Sequence, residues 1–270
     1  FGFGAGNVFE YQKISDPEQK RAVIAKYYES FRDHHISPYD PAPFSNTNVT
    51  WRKLGPDEGA DLPPAERKLK QEQELTPVFD WAADAEIQHS FDTYHFNTMR
   101  LGIPGVGGAT PENKLDPGYL KFKGYCQTLQ QHLREKGWLD EAFLYWVDEP
   151  MPKDYPGVLE GFLKIKDVAP DINRMLTEQP EPGLIGGPNI WCPMPCTFKF
   201  EDTEARRAAG DKMWWYVCTI PKKPYVTEFI DHAGTELRVW LWQTWKYNIE
   251  GILIWQSNLW TTDCAYPDTL

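Results

Sequence analysis

Eight short apolar or aromatic stretches recur along this chain, most of them closing on Gly, Pro, Asn or an acid: Phe1–Gly4, Ile36–Asp40, Thr98–Gly105, Ala142–Glu149, Arg174–Glu178, Asn189–Pro193, Met213–Cys218 and Gly251–Asn258. Longer segments with helical spacing lie between them. Such alternation implies parallel strands covered by helices, because a parallel crossover needs a dozen residues or more and usually coils into a helix. Eight units in 270 residues is the arithmetic of a (β/α)8 TIM-type barrel. A doubly wound open sheet competes, but it usually carries a glycine-rich phosphate turn after its first strand. Phe1-Gly2-Phe3-Gly4-Ala5-Gly6 has the wrong spacing for that turn.

The helical segments carry their own punctuation. Asp16-Pro17-Glu18 supplies an N-cap, a first-turn proline and an early acid, opening a helix that runs to Phe31. Asp80 to Tyr94 repeats apolar residues at helical spacing, and Asp116-Pro117 opens a segment that reaches Lys136 and stops at Gly137. Tyr155–Val168, Asp202–Gly210 and Phe229–Tyr247 complete the set. Pro41 to Pro77 breaks the pattern, being rich in Pro, Gly and charge with one short helical candidate at Pro64–Glu74. The chain thus reads as one domain over residues 1–270, truncated at the end of its first strand. A long insertion at about 41–79 overhangs the face where such barrels keep their active sites.

Charge and composition remove other classes. Acids outnumber bases 39 to 28, a net charge of −11, which argues against a nucleic-acid binder and against docking on anionic membranes. No apolar run is long enough to span a bilayer, and Phe1–Gly4 is no signal peptide. The five cysteines are too scattered for a disulfide scaffold, and Cys192-x3-Cys196 has no second pair to complete a zinc site. His34 and His35 are adjacent, so they diverge on a helix or strand. No metal site and no cofactor is expected.

The sharpest local feature is Phe143-Leu144-Tyr145-Trp146-Val147-Asp148-Glu149-Pro150, an apolar strand that ends in two acids and a proline. Acids at the C-terminal end of a barrel strand sit where the fold keeps its chemistry. Neighbouring side chains on a strand point to opposite faces, so Asp148 and Glu149 share a site only if the strand bends or ends there. The second feature is aromatic density. Eight of twelve tryptophans lie at or after Trp191. Trp191, Trp214 or Trp215, and Trp255 fall on the last expected strands with Trp260 just beyond, whereas Trp240, Trp242 and Trp245 lie in a helical stretch and read as core. Rings beside acids suit sugars, whose C–H faces stack while their hydroxyls take hydrogen bonds.

Tyr145-Trp146-Val147-Asp148-Glu149-Pro150 resembles the Tyr-x-x-Asp-Glu-Pro signature of glycoside hydrolase family 123. So does the tail running from Met213-Trp214-Trp215-Tyr216-Val217-Cys218, through Phe229-Ile230-Asp231 and Arg238, to Trp245-Lys246-Tyr247, Gly251, Trp255, Asn258 and Trp260. The resemblance implies a (β/α)8 catalytic barrel flanked by β-rich domains that are missing here. It also implies an N-acetylated glycan or glycoconjugate substrate and an extracellular or periplasmic location. The implied activity is a retaining, exo-acting β-N-acetylgalactosaminidase in which the sugar's 2-acetamido oxygen attacks its own anomeric carbon.

By that resemblance Asp148 holds the acetamido N–H and stabilises the developing positive charge, while Glu149 protonates the leaving oxygen and then deprotonates water. Tyr216 bonds the acetamido oxygen, Trp191, Trp255 and Trp260 wall the pocket, and Asn258 and Tyr39 take sugar hydroxyls. The scheme needs one carboxyl protonated beside a charged one, a division that repulsion between neighbouring carboxylates favours. Two other readings stay open. One is a conventional two-carboxylate glycosidase with Glu149 as acid/base and Glu228 or Glu178 as nucleophile. The other is a non-catalytic carbohydrate-binding or surface protein on a glycosidase-like barrel.

Overall fold

A computed structural model describes residues 1–229 and 231–259. Its centre is a curled sheet of six parallel strands in sequential order: β3 (Met99–Leu101), β4 (Ala142–Tyr145), β5 (Asn173–Leu176), β6 (Ile190–Trp191), β7 (Lys212–Tyr216) and β8 (Gly251–Leu253). Helices α5 (Pro117–Lys136), α6 (Tyr155–Val168), α7 (Phe200–Ala208) and α8 (Gly234–Lys246) fill four of the crossovers. The β5–β6 crossover carries only a 3-10 turn at Pro182–Leu184. Upstream lie α1 (Ala5–Tyr11), which the sequence did not signal, α2 (Pro17–Asp33) and α4 (Asp84–Tyr94).

Local chemistry accounts for the helix ends. Asp16 accepts the Gln19 N–H and Asp116 the Tyr119 N–H, each followed by a proline that has no amide hydrogen to waste. Gly137 closes α5 at φ 74°, a left-handed cap that costs glycine nothing. The insertion is more ordered than its composition suggested. It holds α3 (Pro64–Glu72) together with an antiparallel pair, β1 (Val49–Arg52) and β2 (Thr76–Phe79).

The first two expected strands, Phe1–Gly4 and Ile36–Asp40, do not form regular ladders. Isolated backbone bonds hold them between the sheet's two edges: Gly2 N–H to Ile254 O (2.8 Å), the Phe1 amine to Ser37 O (2.9 Å), Tyr39 N–H to Phe1 O (2.8 Å) and Arg100 N–H to Tyr39 O (2.8 Å). The fold is therefore α/β with a curled six-stranded parallel sheet.

Period-two alternation sorts the strand residues into two cores. Ala142, Leu144, Leu176, Trp191, Met213 and Trp215 face the helices and pack with residues of α5 and α6 such as Phe122, Leu129 and Phe162. Phe143, Met175, Ile190, Cys192, Tyr216 and Leu253 line the inner face, with Tyr39, Tyr145 and Trp214 against them. Gly251 lies beneath Trp214, where a Cβ would come within 2.5 Å of the indole. On α8 only Trp240 meets the outer core, stacked on Trp215. Trp242 and Trp245 are 70% and 82% exposed, against the expectation that all three are core. At about 100° per residue they lie roughly 200° and 140° around the helix from Trp240, pointing away from the sheet.

Candidate active site

The β4 strand stops at Tyr145, three residues before the acids. Asp148 is then held from two strands, its Oδ1 accepting the Tyr145 hydroxyl at 2.5 Å and the Thr177 hydroxyl at 2.7 Å. Glu149 has a left-handed backbone (φ 40°), a conformation that is costly for a residue with a side chain and that collects at functional sites. Its N–H donates to Thr177 Oγ1 at 2.9 Å, and its Oε1 accepts the hydroxyl of Tyr216 from across the inner face. The strand's end and this turn let adjacent acids meet one set of neighbours, as alternation alone does not permit. Burial, aided by the Glu149 carboxylate, pushes the Tyr216 phenol far above its ordinary range, so it remains a donor.

Tyr39 and Glu178 stand near the pair, and a third titratable group, Glu228, follows β7. Tyr39 stands edge-on to Phe143 and Tyr145 with the Arg100 guanidinium over its ring, and its buried hydroxyl has no hydrogen-bond partner among the described residues. Glu178 accepts the Gln179 N–H and the Tyr155 hydroxyl. Burial raises its pKa against those two bonds, with help from the charges of Glu181 and Glu149. Burial alone lifts Glu228 to about 7.

The remaining expected site residues separate. Trp255 follows β8 and is 44% exposed. Trp191 has none of its surface exposed and donates its indole N–H to Asp211 at 2.7 Å, so it belongs to the outer core and does not wall a pocket. The alternation explains the difference, since Ile190 and Cys192 take the inner positions. Asn258 is buried too. Its Oδ1 accepts from Gly4 N and its Nδ2 donates to Gly4 O, both at 2.9 Å, which fastens the chain start to the end of β8. Trp260 lies outside the described residues. Thr177 carried no signal beyond being a polar residue just after an apolar strand, and Tyr145 stood in the motif without a role.

Other features supply no second centre among the described residues. A cavity of about 380 Å³ between α4, α5 and the insertion is lined by neither Asp148 nor Glu149, and both faces of its Trp81 are covered, by Phe79 and His132. Among the described residues no His, Cys, Asp or Glu group is arranged to hold a metal, and no helix is long and apolar enough to cross a membrane.

Residues 80–269 match the glycoside hydrolase 123 catalytic domain. Among solved structures the chain is similar to a family 123 glycoside hydrolase from Clostridium perfringens, analysed for the details of glycolipid glycan hydrolysis. The identity is 14% and the TM-score 0.56, over 94% of this chain and 48% of that one. This chain thus spans about half the length of that protein, and at such low identity the likeness carries the fold alone. No curated protein matches. The matched pattern covers most of the chain and includes both adjacent carboxylates; the chain belongs to glycoside hydrolase family 123.

Proposed function

We propose that this chain is the (β/α)8 catalytic barrel of a retaining, exo-acting β-N-acetylgalactosaminidase, with Phe1–Gly4 and Ile36–Asp40 standing as its first two strands. The observation that carries the proposal is the pair Asp148–Glu149 at the end of β4, each acid held by its own hydroxyl donors. Glu149 gives its proton to the glycosidic oxygen as the C1–O bond breaks, and the acetamido oxygen forms a new bond to C1. Asp148 takes the acetamido N–H on Oδ2, which receives no hydrogen bond from the described residues while Oδ1 is occupied. Glu149 then removes a proton from water, which attacks C1 and reopens the ring; two inversions give net retention.

Tyr216 has one hydroxyl hydrogen, and it goes to Glu149. Its part in this scheme is therefore to hold the acid/base rather than the acetamido oxygen. Trp255 offers an exposed indole for a sugar face, Tyr39 a hydroxyl for a sugar hydroxyl, and Trp260 keeps its proposed place on the pocket wall. The same reading includes flanking β-rich domains and an extracellular or periplasmic location. The conventional mechanism is less well served. A nucleophilic carboxylate must be ionised, and burial raises the pKa of both Glu178 and Glu228.

An aryl β-GalNAc assay tests the proposal. Asp148→Asn and Glu149→Gln each lower turnover by about 10²–10⁴, and a thiazoline mimic of the cyclic intermediate inhibits. Undiminished turnover in both variants would sink the assignment. Binding of acetamido sugars with no hydrolysis would favour the non-catalytic reading.

A further inference from the structure

One buried hydroxyl joins the two acids. Thr177 follows β5 and is buried; its Oγ1 accepts the Glu149 N–H at 2.9 Å and donates to Asp148 Oδ1 at 2.7 Å. Chemistry sets the direction of this relay. An amide N–H can only donate, so the threonine oxygen accepts there, and its single hydrogen is left for the carboxylate. Tyr145 also donates to Asp148 Oδ1, but it has no bond to Glu149.

We infer that Thr177 is the positioning residue that fixes the two acids relative to one another. The bridge does two things. It holds Glu149 in its left-handed turn (φ 40°), which glutamate does not favour unaided. It also occupies Oδ1 of Asp148 and so presents Oδ2. Without the hydroxyl, the proline at 150 draws Glu149 back toward an extended backbone. An extended residue sends its side chain to the face opposite that of its neighbour, which separates the acids. The inference rests on the proposed roles of Asp148 and Glu149 but not on which sugar they act on.

Thr177→Val keeps the side chain's shape without the hydroxyl, and Thr177→Ser keeps the hydroxyl without the methyl. On β-GalNAc substrates the valine variant loses kcat about 10²-fold while KM stays within about 3-fold. Its loss is larger with an alkyl leaving group, which needs the Glu149 proton, than with a nitrophenyl one. The serine variant returns to within about 5-fold of the parent. In substrate-free protein, amide hydrogen exchange at Glu149 speeds up at least about 10-fold in Thr177→Val and not in Thr177→Ser.

Parental kcat in the valine variant, or equal losses in both variants, overturns the inference. Failure of the parent chain to turn over any acetamido glycoside instead sinks the proposed activity. The exchange measurement then decides for Thr177 alone: acceleration in the valine variant supports the bridge, and unchanged exchange overturns it. Where the valine variant does not fold, Thr177→Ala is read in the same two measurements with the same signs.

Discussion

Tyr216, the last residue of β7, donates its hydroxyl hydrogen to Glu149, which lies 67 positions earlier and just beyond β4. Two strands, β5 and β6, lie between β4 and β7 in the sheet order, so the bond reaches over the sheet's concave face. Replacing Tyr216 by Phe removes that hydrogen and leaves the ring in place. A hydrogen bond to a charged group is worth about 1.5–3 kcal/mol, so kcat falls roughly 10- to 100-fold, while the thermal midpoint stays close to the parent's. Steady-state kinetics beside a melting curve check this; an unchanged kcat would remove Tyr216 from the site.

Two tryptophans, Trp191 on β6 and Trp255 just beyond β8, have opposite predicted behaviour. Trp191→Phe loses the bond to Asp211 inside the outer core and lowers stability by about 1–3 kcal/mol, with KM unchanged. Trp255→Ala removes an exposed indole, leaves the denaturation midpoint alone and raises KM about 3- to 10-fold. Urea titration and substrate saturation curves on the same two preparations separate the outcomes. A raised KM in the Trp191 variant would restore that residue to the pocket wall.

Asn258 makes two bonds to Gly4 and so joins the end of the sheet to the start of the chain. Asn258→Ala leaves the Gly4 N–H without its acceptor, while Gly4 O keeps the Asn7 and Val8 amides, and costs about 2 kcal/mol. Proteolysis near the N-terminus accelerates and KM stays the same. A stable variant with weakened substrate binding would instead assign Asn258 to the sugar.

Glu228 ties stability to pH. Burial raises its pKa from 4.5 to about 7, so between those values the folded chain keeps a proton that the unfolded chain gives up. Stability is therefore undiminished below pH 4.5, declines as pH rises toward about 7, and stays lowered above it. Glu228→Gln cannot ionise. Its melting temperature matches the parent's near pH 4.5 and exceeds it at pH 8, by an amount corresponding to roughly 1–3 kcal/mol. Parallel melting curves at both pH values would refute this explanation.

Much of the architecture was local and therefore readable. Helix α6 runs from Tyr155 to Val168 as its apolar spacing predicted, and Asp116-Pro117 and Gly137 bracket α5 as capping chemistry demands. Six of the eight expected stretches contain ladder strands. The β1–β2 pair was hidden because antiparallel pairing of Val49–Arg52 with Thr76–Phe79 is a contact across the insertion, and neither run is apolar enough to declare itself. Trp242 and Trp245 were misjudged because helical spacing identifies residues that share a face but not the face that meets the sheet.

For the site, the sequence by itself determined that two acids stand beyond an apolar strand, before a proline, with tyrosines and tryptophans on later strands. Those facts depend on residue order and backbone preference alone. Only the tertiary structure decided which rings face inward: a shift of one residue along β6 or β7 exchanges the two faces, which sends Trp191 to the core and Tyr216 to Glu149. Only the tertiary structure brought Thr177 between Asp148 and Glu149, because a bridge from β5 to the end of β4 exists only once the two strands lie side by side.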